Sequence, residues 1–112
     1  FALFPKRFYK KGIIAITVHG NAMFDYIPDG SQVLVNTRDK GIISGELYAI
    51  YLPTEEHYMI RRVISHDDNK YELISVNPSV PNIFISRQEN TILGRVVWIN
   101  TNRLLIKDLM VA

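Results

Sequence analysis

Few side chains in this sequence are arranged to do chemistry. Its three histidines, His19, His57 and His66, stand at a strand end and in two turns with no partner at metal-ligand spacing, so no metal site is expected. The acidic pairs Glu55-Glu56 and Asp67-Asp68 fall in turn-like stretches, where solvated carboxylates are the ordinary outcome and a glycosidase-like pair is not. Cysteine is absent, which removes thiolate chemistry and disulfides together and fits a reducing cytoplasm. There is no phosphate-binding glycine loop and no hydrolase-type nucleophile elbow, so no cofactor is expected. One basic cluster, Lys6, Arg7, Lys10 and Lys11, stands out within a net charge of only +2. Its first reading is a solvated linker and its second a phosphate contact.

These residues sit on a frame that reads as one small β domain. A chain of 112 residues holds one modest core, burying roughly two-thirds of the surface of its unfolded form. Apolar residues make up 47% and charged residues 21%, and no apolar run approaches the roughly 18 residues that cross a bilayer, so no membrane partner is expected. Residues 1–11 mix aromatics with Pro5 and basic side chains and read as an arm whose rings dock on the domain or on a partner. The chain begins with Phe1 and not methionine, so a preceding part of a longer protein is expected.

From residue 12 to residue 112 the sequence alternates strand and turn signals. The run Ile13 to Val18 is β-branched and bounded by Gly12 and Gly20. Asn21 to Tyr26 suits one helical turn capped by Asn21, and Pro28-Asp29-Gly30 is turn chemistry leading into a strand at Gln32 to Asn36. Further strands are expected at Glu46–Leu52, Tyr58–Ser65, Tyr71–Val76, Ile83–Ile85 and Thr91–Ile99. Gly94 inside the last of these signals a bulge or a close backbone approach. Arg103 to Val111 fits either a strand, favoured through Ile106, or a helix. Seven or eight short strands imply an all-β, antiparallel, partly barrel-like fold with little helix.

The stretch from Val18 to Asn36, VHGNAMFDYIPDGSQVLVN, resembles the nucleophile segment of the LexA-like (S24 peptidase, signal-peptidase-like) family, which includes the self-cleaving CI-type phage and bacterial repressors. In that family a small corner is followed by Ser-Met, a proline-containing turn, Asp-Gly and an apolar strand. Later pieces agree in order and spacing over residues 18 to 98: Gly45-Glu46-Leu47-Tyr48-Ala49, Ile60-Arg61-Arg62-Val63, Leu73 to Asn77, and Gly94-Arg95-Val96-Val97-Trp98.

Three departures bear on activity. The serine position holds Ala22, whose methyl has no lone pair with which to attack a carbonyl. The position of the family's lysine holds Arg61, and a guanidinium, being always protonated, cannot serve as the general base that a desolvated lysine can. Upstream of Ala22 the sequence offers Lys11-Gly12 in place of the Ala-Gly or Cys-Gly bond that self-cleaving members cut. Ala22 and Arg61 are therefore expected to be vestigial. Arg61 is open to two placements, paired with an acceptor such as Asp25 or Asp29, or solvated at a strand end. The family's proline two residues after Met is replaced by Asp25, so the turn is expected to differ locally.

What the resemblance implies is a non-cleaving oligomerisation domain of a cytoplasmic transcriptional repressor. It would act by dimerisation and higher-order assembly, with operator DNA bound by a helix-turn-helix part absent from this sequence and induction supplied by an antirepressor protein. The expected self-interface is Val96, Trp98, Leu104, Ile106, Leu109 and Met110. The competing reading is a Ser-Lys peptidase in which an engineered alanine replaces the nucleophile, with Lys40, Lys70 or Lys107 as its base.

Overall fold

A computed structural model describes residues 4–52, 58–87 and 91–101. After a short 3-10 turn at Lys6–Phe8 come seven strands: β1 (Ile13–Thr17), β2 (Gln32–Asn36), β3 (Leu47–Ile50), β4 (Met59–His66), β5 (Lys70–Ile74), β6 (Ile83–Ser86) and β7 (Ile92–Asn100). They form one antiparallel sheet in the order β1-β2-β7-β3-β4-β5-β6, open rather than closed into a barrel. The strands coincide with the expected runs to within two residues at every end; the largest differences are at the ends of β3, which stops at Ile50, and β5, which stops at Ile74.

β7 lies between β2 and β3 and bonds to both, so Val96 and Trp98 sit in the middle of the sheet. Among the described residues the sheet ends at β1 and β6. Leu104, Ile106, Leu109 and Met110, the Arg103–Val111 alternatives, His57 and Glu55-Glu56 lie outside the described residues.

Strand alternation sorts the apolar side chains into two layers. Leu47 and Ala49 join Val33, Val35 and Ile60 in one cluster, while Tyr48 and Ile50 join Met59, Val63, Leu73 and Ile85 in the other. β3 is thus buried on both faces, which explains why it reads as an unbroken apolar run. Its one polar atom is satisfied locally: the fully buried Tyr48 donates its hydroxyl to the Gly41 carbonyl at 2.9 Å and accepts from the Ile43 amide at 2.7 Å. Tyr48→Phe is expected to lower stability by about 1–2 kcal/mol, since it strands both backbone groups. Chemical denaturation measures this, and an unchanged midpoint would contradict it.

The hairpin turn at Asp67-Asp68-Asn69 joins β4 to β5, with Asn69 at φ 66°, a conformation that asparagine tolerates better than most residues. Arg95 continues the tie between loop and sheet. It donates from Nε to Asp39 Oδ2 at 2.8 Å, and its amide bonds the Asp39 carbonyl at 3.0 Å.

Candidate functional site

The corner between β1 and β2 is a hairpin with a folded excursion at its tip. Pairing runs past the strands proper, because the Val18 amide bonds the Ser31 carbonyl at 2.8 Å and the Gly30 amide bonds the Val18 carbonyl at 2.9 Å. Asp29 closes the neck: its Oδ1 accepts the Gly20 amide at 2.7 Å. Gly30 lies at φ 85°, the positive-φ geometry that its place after Pro28-Asp29 demands.

Between Gly20 and Asp29 the chain makes consecutive turns rather than the regular helical turn expected, bonded Phe24 amide to Asn21 carbonyl (3.1 Å) and Ile27 amide to Met23 carbonyl (2.7 Å). The apolar side chains decide this shape. Met23 and Ile27 drop into the core beside Val33, Val35 and Ile60, while Phe24 and Tyr26 stay more than half exposed. The excursion is a plug on the sheet, and Ala22 lies on its buried side at 9% exposure.

A distant residue holds the plug in place. Asn77, just after β5, donates its backbone amide to the Ala22 carbonyl at 2.8 Å and its side-chain Nδ2 to the Asn21 carbonyl at 3.1 Å. Its own Oδ1 accepts the Ser79 amide at 2.9 Å, which fixes the amide group. The sequence marked Asn77 as the end of the family-like piece Leu73 to Asn77 and the start of a proline-containing loop to Pro81. The signal that could have found its role is an asparagine followed by Pro78 and Ser79, a polar turn able to present the side chain.

At this corner the position of the nucleophile in the resemblance holds Ala22 and the position of the lysine holds Arg61. Ala22 has no nucleophilic atom. The corner's one serine, Ser31, is 1% exposed and its hydroxyl has no hydrogen-bond partner among the described residues. Arg61 on β4 is half-buried and donates from Nη1 to the Ile60 carbonyl at 2.8 Å, and Asp29 Oδ1 accepts the Gly20 amide. Lys40 is exposed, and Lys70, exposed at the start of β5, stands 3.9 Å from Asp68. Lys107 is outside the described residues.

Along the outer edge of β1 runs a groove of about 420 Å³ lined by Ile14 to Thr17, His19, Tyr51 and Tyr58. Such an edge can receive an extended chain by main-chain hydrogen bonds. No group of three or more His, Cys, Asp or Glu residues that could hold a metal exists among the described residues, and no helix there is long and apolar enough to cross a membrane. His66 bonds Glu72 at 2.9 Å.

The two interface candidates that can be placed are used within the chain. Val96 packs against the cluster that holds Met23 and Ile27. Trp98 meets the N-terminal arm: the Phe4 ring stands edge-on at 5.2 Å between centroids and the Phe8 ring tilts at 6.4 Å. Both Val96 and Trp98 keep partial exposure.

Comparison with known proteins agrees with this architecture. A family model described as Peptidase S24-like matches residues 3–97. Over 92 residues the chain is 29% identical to the repressor protein CI of Enterobacteria phage phi80, an alignment that covers 82% of this chain and 38% of that relative. The chain thus spans well under half the length of the curated relative that it matches.

Proposed function

Because the chain belongs to the S24-like peptidase family, we propose that it is the self-associating C-terminal domain of a transcriptional repressor, built on a peptidase corner that does not cleave. The observation that carries this is Ala22: the corner is closed, plugged and clamped by Asn77, yet the position that would attack a carbonyl is a methyl. Arg61 in place of the lysine argues in the same direction, because restoring a nucleophile alone would still leave no base.

The role of such a domain is multivalency. A single contact with half an operator is weak, and tethering two or more DNA readers through a shared domain raises their effective concentration so that the operator fills at low protein levels. The readers would be helix-turn-helix units on the N-terminal side of residues 1–11. With self-cleavage absent, release would come from outside, from an antirepressor protein in the bacterial cytoplasm. Trp98 and Val96, which keep partial exposure, and the apolar residues Leu104, Ile106, Leu109 and Met110 remain the proposed contact between copies.

Sedimentation velocity from below micromolar to tens of micromolar tests the association directly. Discrete dimers or larger species are expected, and a strict monomer across the range would remove the proposal. The peptidase reading is tested separately. Ala22→Ser is expected to give no self-cleavage even at alkaline pH, and appearance of cut fragments would show that a base stands ready.

A further inference from the structure

We infer that the arm from Lys6 to Lys11, together with Arg38, is a preformed contact for the phosphate backbone of duplex DNA. The inference rests on the reading above only in placing a DNA reader next to this arm; the surface itself is argued from its own geometry.

Four cations, Lys6, Arg7, Lys10 and Lys11, occur within six residues, and all four are exposed. They do not hang on a loose tether. The Phe8 amide bonds the Pro5 carbonyl at 3.0 Å, the Tyr9 amide bonds the Lys6 carbonyl at 3.0 Å, and the Ile13 amide bonds the Lys10 carbonyl at 3.2 Å. Phe4 and Phe8 meanwhile lean on Trp98, so the apolar side chains of the arm hold it to the sheet while its charges face water. Arg7 lies over the Phe8 ring, 4.7 Å from its centroid, which restrains one cation further.

A fifth cation joins from elsewhere in the sequence. Gly12, at φ 92°, sits so close to the Arg38 side chain that a Cβ there would come within 2.8 Å of Arg38 Cγ. Thr37 clamps the pair, its amide and its hydroxyl each donating to the Gly12 carbonyl at 2.7 Å. The adjacent carboxylate, Asp39, is engaged by Arg95. Among the described residues the ion pairs are His66–Glu72, Lys70–Asp68 and Arg95–Asp39, and none draws on these five cations.

The charge is also local. The whole chain carries only +2, so without these five cations the remainder is net negative. A surface of this kind selects a dense, regular polyanion. Duplex DNA carries one charge per about 1.7 Å of its axis and can meet several cations at once. An extended acidic peptide offers at most one per about 3.3 Å and must be ordered to do so.

The test is a fluorescence-anisotropy titration of this 112-residue chain against a 20-bp duplex of arbitrary sequence, from about 20 to 150 mM NaCl. Binding is expected to be weak, with log K falling against log salt at a slope of about −4, the value for four to five phosphates neutralised. The Lys10→Glu/Lys11→Glu double variant is expected to reduce the slope by about 2 and the affinity at least tenfold, while Lys70→Glu at the start of β5 stays within about twofold.

Three results would overturn the inference: no salt-dependent binding at the lowest salt, equal weakening by Lys70→Glu, or competition by polyglutamate as effective as by duplex. The titration needs neither a DNA reader nor self-association. A monomer in the centrifuge would therefore leave it standing, and a failed titration would leave the oligomerisation proposal untouched.

Discussion

Gly94→Ala is expected to destabilise the domain by about 3 kcal/mol, lowering Tm by roughly 15 °C, although it adds only one methyl group. A Cβ at position 94 would fall 2.3 Å from the Asn36 carbonyl oxygen, 2.8 Å from the Asn36 carbonyl carbon and 3.0 Å from the Thr37 Cα. Backbone, not a flexible side-chain end, is what it meets. Relief would require β7 to move away from the end of β2, where Asn36 pairs with Arg95, and β7 is the strand that joins the two halves of the sheet. Gly41→Ala is the matched control: nothing lies within 4 Å of its Cβ position, and its effect is expected to stay within about 0.5 kcal/mol. Urea unfolding of the two variants decides the matter, and equal midpoints would refute the close-approach account.

That Gly94 was legible in the sequence, while Asn77 was not, shows where sequence reasoning runs out. A glycine inside a β-branched run violates local propensity, so it announces a backbone constraint without any knowledge of the partner. Positions 30 and 69 are likewise local, and their turns formed as their residue types dictate. The strands themselves follow from period-two alternation and turn residues. Asn77 instead acts across 56 residues of sequence on Asn21, a relation that no window of the chain displays.

The arm belongs to the same class of omission. Phe4 and Phe8 have the composition of something that docks, but that they dock on Trp98 depends on β7 threading between β2 and β3. The order of strands is set by which apolar faces complete two buried layers, a property of the whole chain. Where one helical turn was expected at Asn21 to Tyr26 the chain makes consecutive turns, and the bond from the Ile27 amide to the Met23 carbonyl accompanies the burial of both side chains.

If the corner persists for structure rather than catalysis, substitutions there should reverse the sensitivity of an active site. Ile27 is fully buried at the centre of the plug, and Ile27→Ala is expected to cost about 3 kcal/mol by leaving a cavity against Val33, Val35 and Ile60. Met23→Ala, at 2% exposure in the same cluster, should cost a similar amount. Ala22→Ser is expected to cost under about 1 kcal/mol, because the added hydroxyl is small and Asn77 holds this residue through its backbone carbonyl. In a working peptidase site the ranking by function runs the other way, with the nucleophile position decisive and the packing residues secondary. Equilibrium denaturation of the three variants, run beside sedimentation velocity on each, separates the two situations. Loss of assembly in step with loss of stability for Ile27→Ala and Met23→Ala, with Ala22→Ser like the parent in both, is the expected pattern. A serine variant that folds normally but fails to assemble would instead place position 22 in the contact between copies, and the corner would then be an interface rather than a plug.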